Sequence, residues 1–247
     1  MCTVSAIRCA DRLNGSNMLR LMCNRDESIT RPIALPPRVR RVGALESVMP
    51  IDPLSGGTWV GVNEAGLVVT LLNVNDAAAP HPNESPRSRG EIVPRLLEAA
   101  TFTRALQATL SIDPRSYPPF RLLILTLKRA ACFVSDGARM RREMGADDRA
   151  PVMHTSSGLG DALVVGPRLR LFETIVNSDH PTARQQDVFH YHAWPGKGEL
   201  SVRMNRPDAR TVSITTIALT KQSVQVHYAD LRPLPVETTV ALSGANQ

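Results

Sequence analysis

Three features of the chain put reactive side chains where chemistry can use them. They are a cysteine at position 2, the polar tetrad Asn24-Arg25-Asp26-Glu27 closing an apolar-rich run, and Asn73 with Asn75 closing another. A small second residue permits removal of Met1, and the mature chain is then expected to begin with Cys2. An N-terminal cysteine carries a nucleophile and a base on one residue: a thiol of reference pKa about 8.5 and an α-amine of about 7.7–8.0. The amine can take the thiol proton, directly or through one water, and later hand a proton to a leaving amine. A cation at Arg25 favours the thiolate. A carboxylate at Asp26 can orient the amine while raising its pKa. The Asn73 side-chain amide can donate to a tetrahedral oxyanion, a contact worth about 3 kcal/mol in other acyl-transfer enzymes. Taken singly, each feature has a plainer reading: a chance cysteine, a solvated turn, a pair of turn formers.

These residues must be positioned by strands. Residues 2–9 alternate loosely, 11–17 carry turn chemistry and 18–23 resume an apolar run, which predicts a hairpin. Residues 31–55 hold Pro32, Pro36, Pro37, Pro50 and Pro53 and read as loop with one strand near 42–45. Residues 56–62 and 66–73 form the clearest strand pair, joined by Asn63-Glu64-Ala65. After a loop over 77–86, Ser88 and Glu91 have capping-box spacing. Ile92, Leu96, Leu97, Ala100, Leu106 and Leu110 then follow at helical spacing, and Pro94 delays the regular helix to about Glu91. A hairpin is expected over 120–126 and 131–135, a short run at 139–144 and a strand at 152–156. Helices are expected at 167–176 and 184–192, and a last strand pair at 211–220 and 223–228. Antiparallel hairpins bracketing segregated helices indicate an α+β layered domain. No repeat or linker divides the chain, so residues 1–247 are expected to form one domain. Neither a G-x-G-x-x-G after a strand nor a Walker loop supports nucleotide binding.

The 247 residues are 43 % hydrophobic and 21 % charged, the composition of a soluble globular chain, which excludes disorder. A chain this long buries roughly 70–75 % of its unfolded surface and needs no disulfide or metal staple. The four cysteines show neither C-x-x-C nor zinc-ligand spacing and are expected to be thiols, with Cys9, Cys23 and Cys132 acting as small buried hydrophobes. His190-x-His192 lacks an acidic partner and reads as packing; no metal or cofactor is expected. Net charge is +6, and of 29 basic residues only Lys128, Lys197 and Lys221 are lysine. With 4 % aromatic residues, the basic surface lacks stacking platforms, so no nucleic-acid partner is expected. No window of about 18 apolar residues suggests a membrane span, and the N-terminus has no secretory pattern, which makes the cytoplasm the expected location.

Met-Cys-Thr at the start, Cys23-Asn24-Arg25-Asp26-Glu27, Gly56-Gly57-Thr58-Trp59-Val60-Gly61-Val62-Asn63, Leu72-Asn73, Ser88-Arg89-Gly90 and Arg210-Thr211-Val212-Ser213 together resemble the NRDE family. That family includes the transport and Golgi organisation type-two proteins and is named for the tetrad at 24–27. The resemblance implies an N-terminal-nucleophile hydrolase fold, a four-layer αββα sandwich whose central sheets present the first residue at one end. It is similar in fold to bile-salt hydrolases, penicillin V acylases and isopenicillin acyltransferases, which cleave or transfer linear amides. Matched motif by motif, it implies Cys2 as nucleophile, Asp26 as active-site carboxylate, Asn73 as oxyanion donor and Arg210 as the arginine of the C-terminal half, with Arg25 beside the nucleophile. Asn24, Glu27, Trp59 and Ser156 are the expected substrate contacts, and the Pro-rich stretches, Asp161 and Arg168 the expected cleft walls.

The chain departs from the acylases at two places. Cys23 stands where they commonly carry an arginine three residues before the aspartate, and a second oxyanion asparagine of theirs falls near Ser156. If the strand runs on through the tetrad, Asn24 and Asp26 share one face and Arg25 takes the other. The expected activity is amidohydrolysis of a small linear amide through a Cys2 thioester. The alternative is a non-catalytic carrier of a haem- or acyl-CoA-like anionic ligand. Substrate identity and oligomeric state are left open by the sequence.

Overall fold

Two antiparallel sheets share one apolar interface, and each is covered on its outer face by a pair of helices. The structure is a computed structural model and describes residues 2–11, 15–75, 85–143, 150–232 and 236–243. The loop expected over 77–86 lies outside these residues except for Ser85 and Pro86.

The first sheet, A, has the order β10-β1-β2-β11-β12-β13. Its strands are β1 (Cys2–Ala10), β2 (Asn17–Ser28), β10 (Val152–Thr155), β11 (Ala209–Leu219), β12 (Ser223–Asp230) and β13 (Glu237–Ser243). The second sheet, B, is a meander in chain order. It contains β3 (Leu35–Val42), β4 (Leu45–Ile51), β5 (Val60–Asn63), β6 (Val68–Asn73), β7 (Phe120–Leu125), β8 (Ala130–Ser135) and β9 (Met140–Glu143).

Alternation along these strands builds the layers. Val4, Ala6, Leu19, Leu21, Ile217 and Val226 of sheet A meet Val48, Val60, Val62, Val68 and Leu123 of sheet B in one buried cluster. The other face of sheet B, with Val69, Leu71, Leu122 and Ile124, packs on α1 (Ile92–Leu97) and α2 (Phe102–Leu110). Ile7 on the other face of sheet A packs with Phe172 and Phe189 of α3 (Asp161–Ile175) and α4 (Ala183–His190). A sheet apolar on both faces must be covered on both, and the αββα sandwich expected from the resemblance satisfies that requirement. No helix among the described residues is long and apolar enough to cross a membrane.

Several local expectations change. Residues 31–55 contain two strands rather than one, since β3 and β4 pair around a turn at Gly43, with a register shift between Leu35 and Arg38 that absorbs Pro36 and Pro37. The helix expected to run to Leu110 is interrupted, and Thr101 caps a new start by accepting from the Arg104 N–H at 3.2 Å. The Ser88–Glu91 capping box does not form. Ser88 caps a single 3-10 turn, Arg89–Glu91, while Glu91 accepts from the Tyr117 hydroxyl and pairs with Arg87. Strand β13 extends sheet A beyond the last expected pair.

Candidate active site

β1 carries Cys2 to one end of sheet A, where Cys2 is the register partner of Arg25 in β2. Residues paired across a ladder share a face. Both side chains therefore line a cavity of about 570 Å³, together with Glu27, Trp59, Asn73 and Asn75 and the segments 55–58 and 86–90. β2 runs unbroken to Ser28, so Asn24 and Asp26 take the face turned to α3 and α4.

The nucleophile candidate is tightly held. Cys2 is 6 % exposed; its N–H donates to Ser156 Oγ at 3.2 Å, and the Ser156 N–H donates back to the Cys2 carbonyl at 2.9 Å. Hydrogen bonding between the Cys23 and Cys2 thiols outweighs burial and holds the Cys2 thiol below its ordinary pKa. Cys23 is pushed well above the usual thiol value by the same bond and by burial.

Around the thiol stands an ion network. Arg25 Nη2 donates to Asp52 Oδ2 at 2.7 Å and lies 3.5 Å from Glu27 Oε2, with its guanidinium carbon 4.4 Å from the Trp59 ring centroid. Arg31 Nε reaches the same Asp52 oxygen at 2.8 Å. Burial alone would raise the Asp52 carboxyl, but the Arg31 hydrogen bond, the Leu54 N–H and the charges of Arg31 and Arg25 hold it below its usual value. Arg89 donates to the Pro119 carbonyl at 2.8 Å, and burial lowers its pKa. No ion-pair partner for it occurs among the described residues.

Two buried donors in the cavity wall lack hydrogen-bond partners among the described residues: Trp59 Nε1 and the Asn75 Nδ2 amide. Asp161, at the first turn of α3, accepts from the N–H groups of Asn75 and Ser157 and so ties these two loops together. Both atoms are sealed from solvent, so either side chain must turn before it can donate to a carbonyl or oxyanion in the cavity.

Other expected site residues do not line the cavity. Asn24 is sealed under sheet A, donating to the His190 and Val202 carbonyls at 2.9 and 3.0 Å, so it does not line the cavity. Ser156 holds the backbone of Cys2 and is absent from the cavity wall. Asp26 lies on the helix face, accepting from Thr211 Oγ1 at 2.6 Å with Arg168 Nη1 at 3.9 Å; burial raises its pKa against the pull of Arg168 and Thr211. Arg168 is buried beneath the sheet rather than lining the cleft, donating to Thr3, Thr155, Leu200 and Ser201. Arg210 lines a separate cavity with Ala193, Arg203 and Met204. Its strand carries a register shift between Thr211, opposite Asp26, and Ser213, opposite Arg25, which re-aims the residues on either side.

The sequence assigns no role to Asn75, Arg89 or Asp52, and Asn75 stands out in it only as a neighbour of Asn73. Arg89 sits in the Ser88-Arg89-Gly90 motif, the one signal that could have singled it out.

Similarity to other proteins agrees with this architecture. The Caenorhabditis elegans N-acylethanolamine-hydrolyzing acid amidase ortholog superposes with a TM-score of 0.58 at 11 % identity, over 88 % of this chain and 92 % of that one. A variant of the conjugated bile acid hydrolase from Clostridium perfringens superposes with a TM-score of 0.52 at 10 % identity, over 97 % and 92 %. At such identities the likeness shows a shared N-terminal-nucleophile hydrolase fold. No curated protein sequence matches the chain. The family model described as Transport and Golgi organisation 2 matches residues 1–187. With three quarters of its length matched, and the tetrad and terminal cysteine within that span, the chain belongs to the Transport and Golgi organisation 2 family.

Proposed function

We propose that the protein is a cysteine amidohydrolase that cleaves a small linear amide after removal of Met1. The observation that carries this reading is the Cys2 thiol lining a cavity together with Arg25, Asn73 and Asn75, with hydrogen bonding to Cys23 lowering its pKa. The Cys2 thiolate attacks the amide carbonyl carbon, forming the C–S bond and moving the carbonyl π pair onto oxygen. Asn73, or Asn75 with its unpaired amide, donates to that oxyanion. Collapse breaks the C–N bond, and the ammonium of Cys2 gives a proton to the departing amine. Water then adds to the thioester, the C–S bond breaks, and the carboxylic acid leaves. Arg89 is placed to meet an anionic group on the substrate.

The test is an intact mass of the purified protein followed by incubation with a panel of amides. Removal of Met1, an acyl adduct on Cys2 and loss of turnover in Cys2→Ala support the reading. Retained Met1 in active protein, or unchanged turnover in Cys2→Ala, sinks it. Tight binding of an anionic ligand that survives Cys2→Ala, with no turnover by the unsubstituted protein, supports the carrier reading instead.

A further inference from the structure

Cys132 of β8, Glu143 of β9 and His154 of β10 bring one ligand atom each to within 4.8 Å of one another. The first two strands belong to sheet B, with β9 at its edge, and β10 is the edge strand of sheet A. The cluster therefore bridges the two sheets along one open side of the sandwich, and none of its members lines the Cys2 cavity.

The donor set is organised. The Cys132 thiol donates to Glu143 Oε2 at 3.3 Å, while Arg121 Nη2 donates to the other oxygen, Oε1, at 3.0 Å. Arg121 thus fixes the carboxylate from outside and leaves one oxygen turned to the thiol, the arrangement by which an outer partner orients a metal-bound carboxylate. The ring of His154 makes no hydrogen bond among the described residues, although it is half-buried and His154 pairs with Val4 in the sheet. Tetrahedral zinc with bonds of about 2.3 Å to sulfur and about 2.0–2.2 Å to nitrogen and oxygen sets its ligand atoms roughly 3.3–3.7 Å apart. The sulfur-to-oxygen spacing is already there at 3.3 Å, and the imidazole, within 4.8 Å of both, needs a shift of at most about 1.5 Å. Thiolate, imidazole and carboxylate together suit a borderline divalent transition ion, not calcium or magnesium, which prefer oxygen alone.

We propose that Cys132, Glu143 and His154 bind one zinc-like divalent cation that ties the edge of sheet A to sheet B. On binding, the Cys132 S–H bond breaks, its proton passes to solvent, and the sulfur–metal bond forms with no change of oxidation state. The three protein ligands leave a fourth position for water.

The experiment titrates metal-stripped full-length protein with Co²⁺ alone, reading absorbance and the melting midpoint. The expected result is a thiolate-to-cobalt charge-transfer band that saturates at one equivalent, with a rise in the midpoint. Cys132→Ser should abolish the band, whereas Cys2→Ala and Cys23→Ala should keep it, which separates this site from the nucleophile pair. Glu143→Gln, which still accepts from Arg121, and His154→Gln should each weaken binding by about tenfold or more. If Cys132→Ser does not fold, these two variants decide. Absence of a saturating band in the unsubstituted protein, its persistence in folded Cys132→Ser, or unchanged affinity in both other variants overturns the proposal.

Discussion

Cys2 and Cys23 lie on the same face of the β1–β2 hairpin, where hydrogen bonding between the two thiols lowers the pKa of Cys2 and raises that of Cys23. Arg25, the register partner of Cys2, adds a cation whose charge also lowers the Cys2 pKa.

Replacing Cys23 by alanine should therefore raise the Cys2 pKa. The alkylation rate of Cys2 by iodoacetamide, followed by mass across pH, should move to higher pH, with slower labelling at neutrality. An unchanged profile would show that Cys23 does not tune the nucleophile.

Arg168 and Asp26 make a second test. Removing one member of a buried ion pair strands the other, at a cost of about 3–5 kcal/mol. Arg168→Met should lower stability in urea by that order, because it also leaves Thr3, Thr155 and two carbonyls without their donor. Adding Asp26→Asn should recover part of the loss. Additive losses in the double variant would show that the two charges do not interact.

His190 supplies a pH signature. Asn24 donates both amide hydrogens to carbonyls, so its oxygen must accept from His190 Nδ1 at 2.8 Å. Nε2 is then the acceptor facing Ser5 Oγ at 2.7 Å, and Gln186 donates to that same hydroxyl oxygen. This is a neutral imidazole, and burial holds its pKa down to about 3. A histidine depressed in the folded state contributes stability above its unfolded pKa of about 6.5 and loses it as pH falls toward 3. The acid loss attributable to His190 should reach on the order of 4 kcal/mol across that window. Denaturant midpoints measured from pH 7 to 4 should flatten in a folded His190→Gln protein; an identical slope would refute the assignment.

Two adjacent glycines should respond differently. A Cβ at Gly57 would overlap the carbonyl of Gly90, whose oxygen accepts from the Thr58 N–H at 2.9 Å, whereas a Cβ at Gly56 meets open space but a φ of 67°. Gly57→Ala should cost about 1–3 kcal/mol through overpacking and displace the Arg89 loop from the cavity, while Gly56→Ala should cost about 1 kcal/mol. Thermal melts of both variants, with substrate affinity for the first, check the contrast. Equal losses would count against the close approach.

The hairpins that frame the site were legible because their apolar alternation and turn residues agree, as in β1–β2 and β5–β6. Alternation alone also sets Arg25 on the face opposite to Asn24 and Asp26. β3 was hidden, because an edge strand can carry Pro36, Pro37 and exposed Arg38, Arg40 and Arg41 without burying an apolar face. The place of Arg210 depends on a register shift in β11 that no local pattern announces. Asn75 could not be ranked above Asn73, because an unpaired amide is defined by what fails to surround it in space. The cluster of Cys132, Glu143 and His154 was invisible for a related reason: its members come from three strands of two sheets.

The sheet orders have a consequence for synthesis. Sheet B is a meander of residues 35–143 and can zip up from neighbouring hairpins as the chain emerges. Sheet A cannot, because β2 must wait for β11, whose Thr211 bonds Asp26 across 185 positions. Contacts so distant in sequence form late. The first strand pairs with β2 at once but gains its other neighbour, β10, only after residues 152–155 are made, so the Ser156 contact to the amide of Cys2 forms well after sheet B can begin to pair.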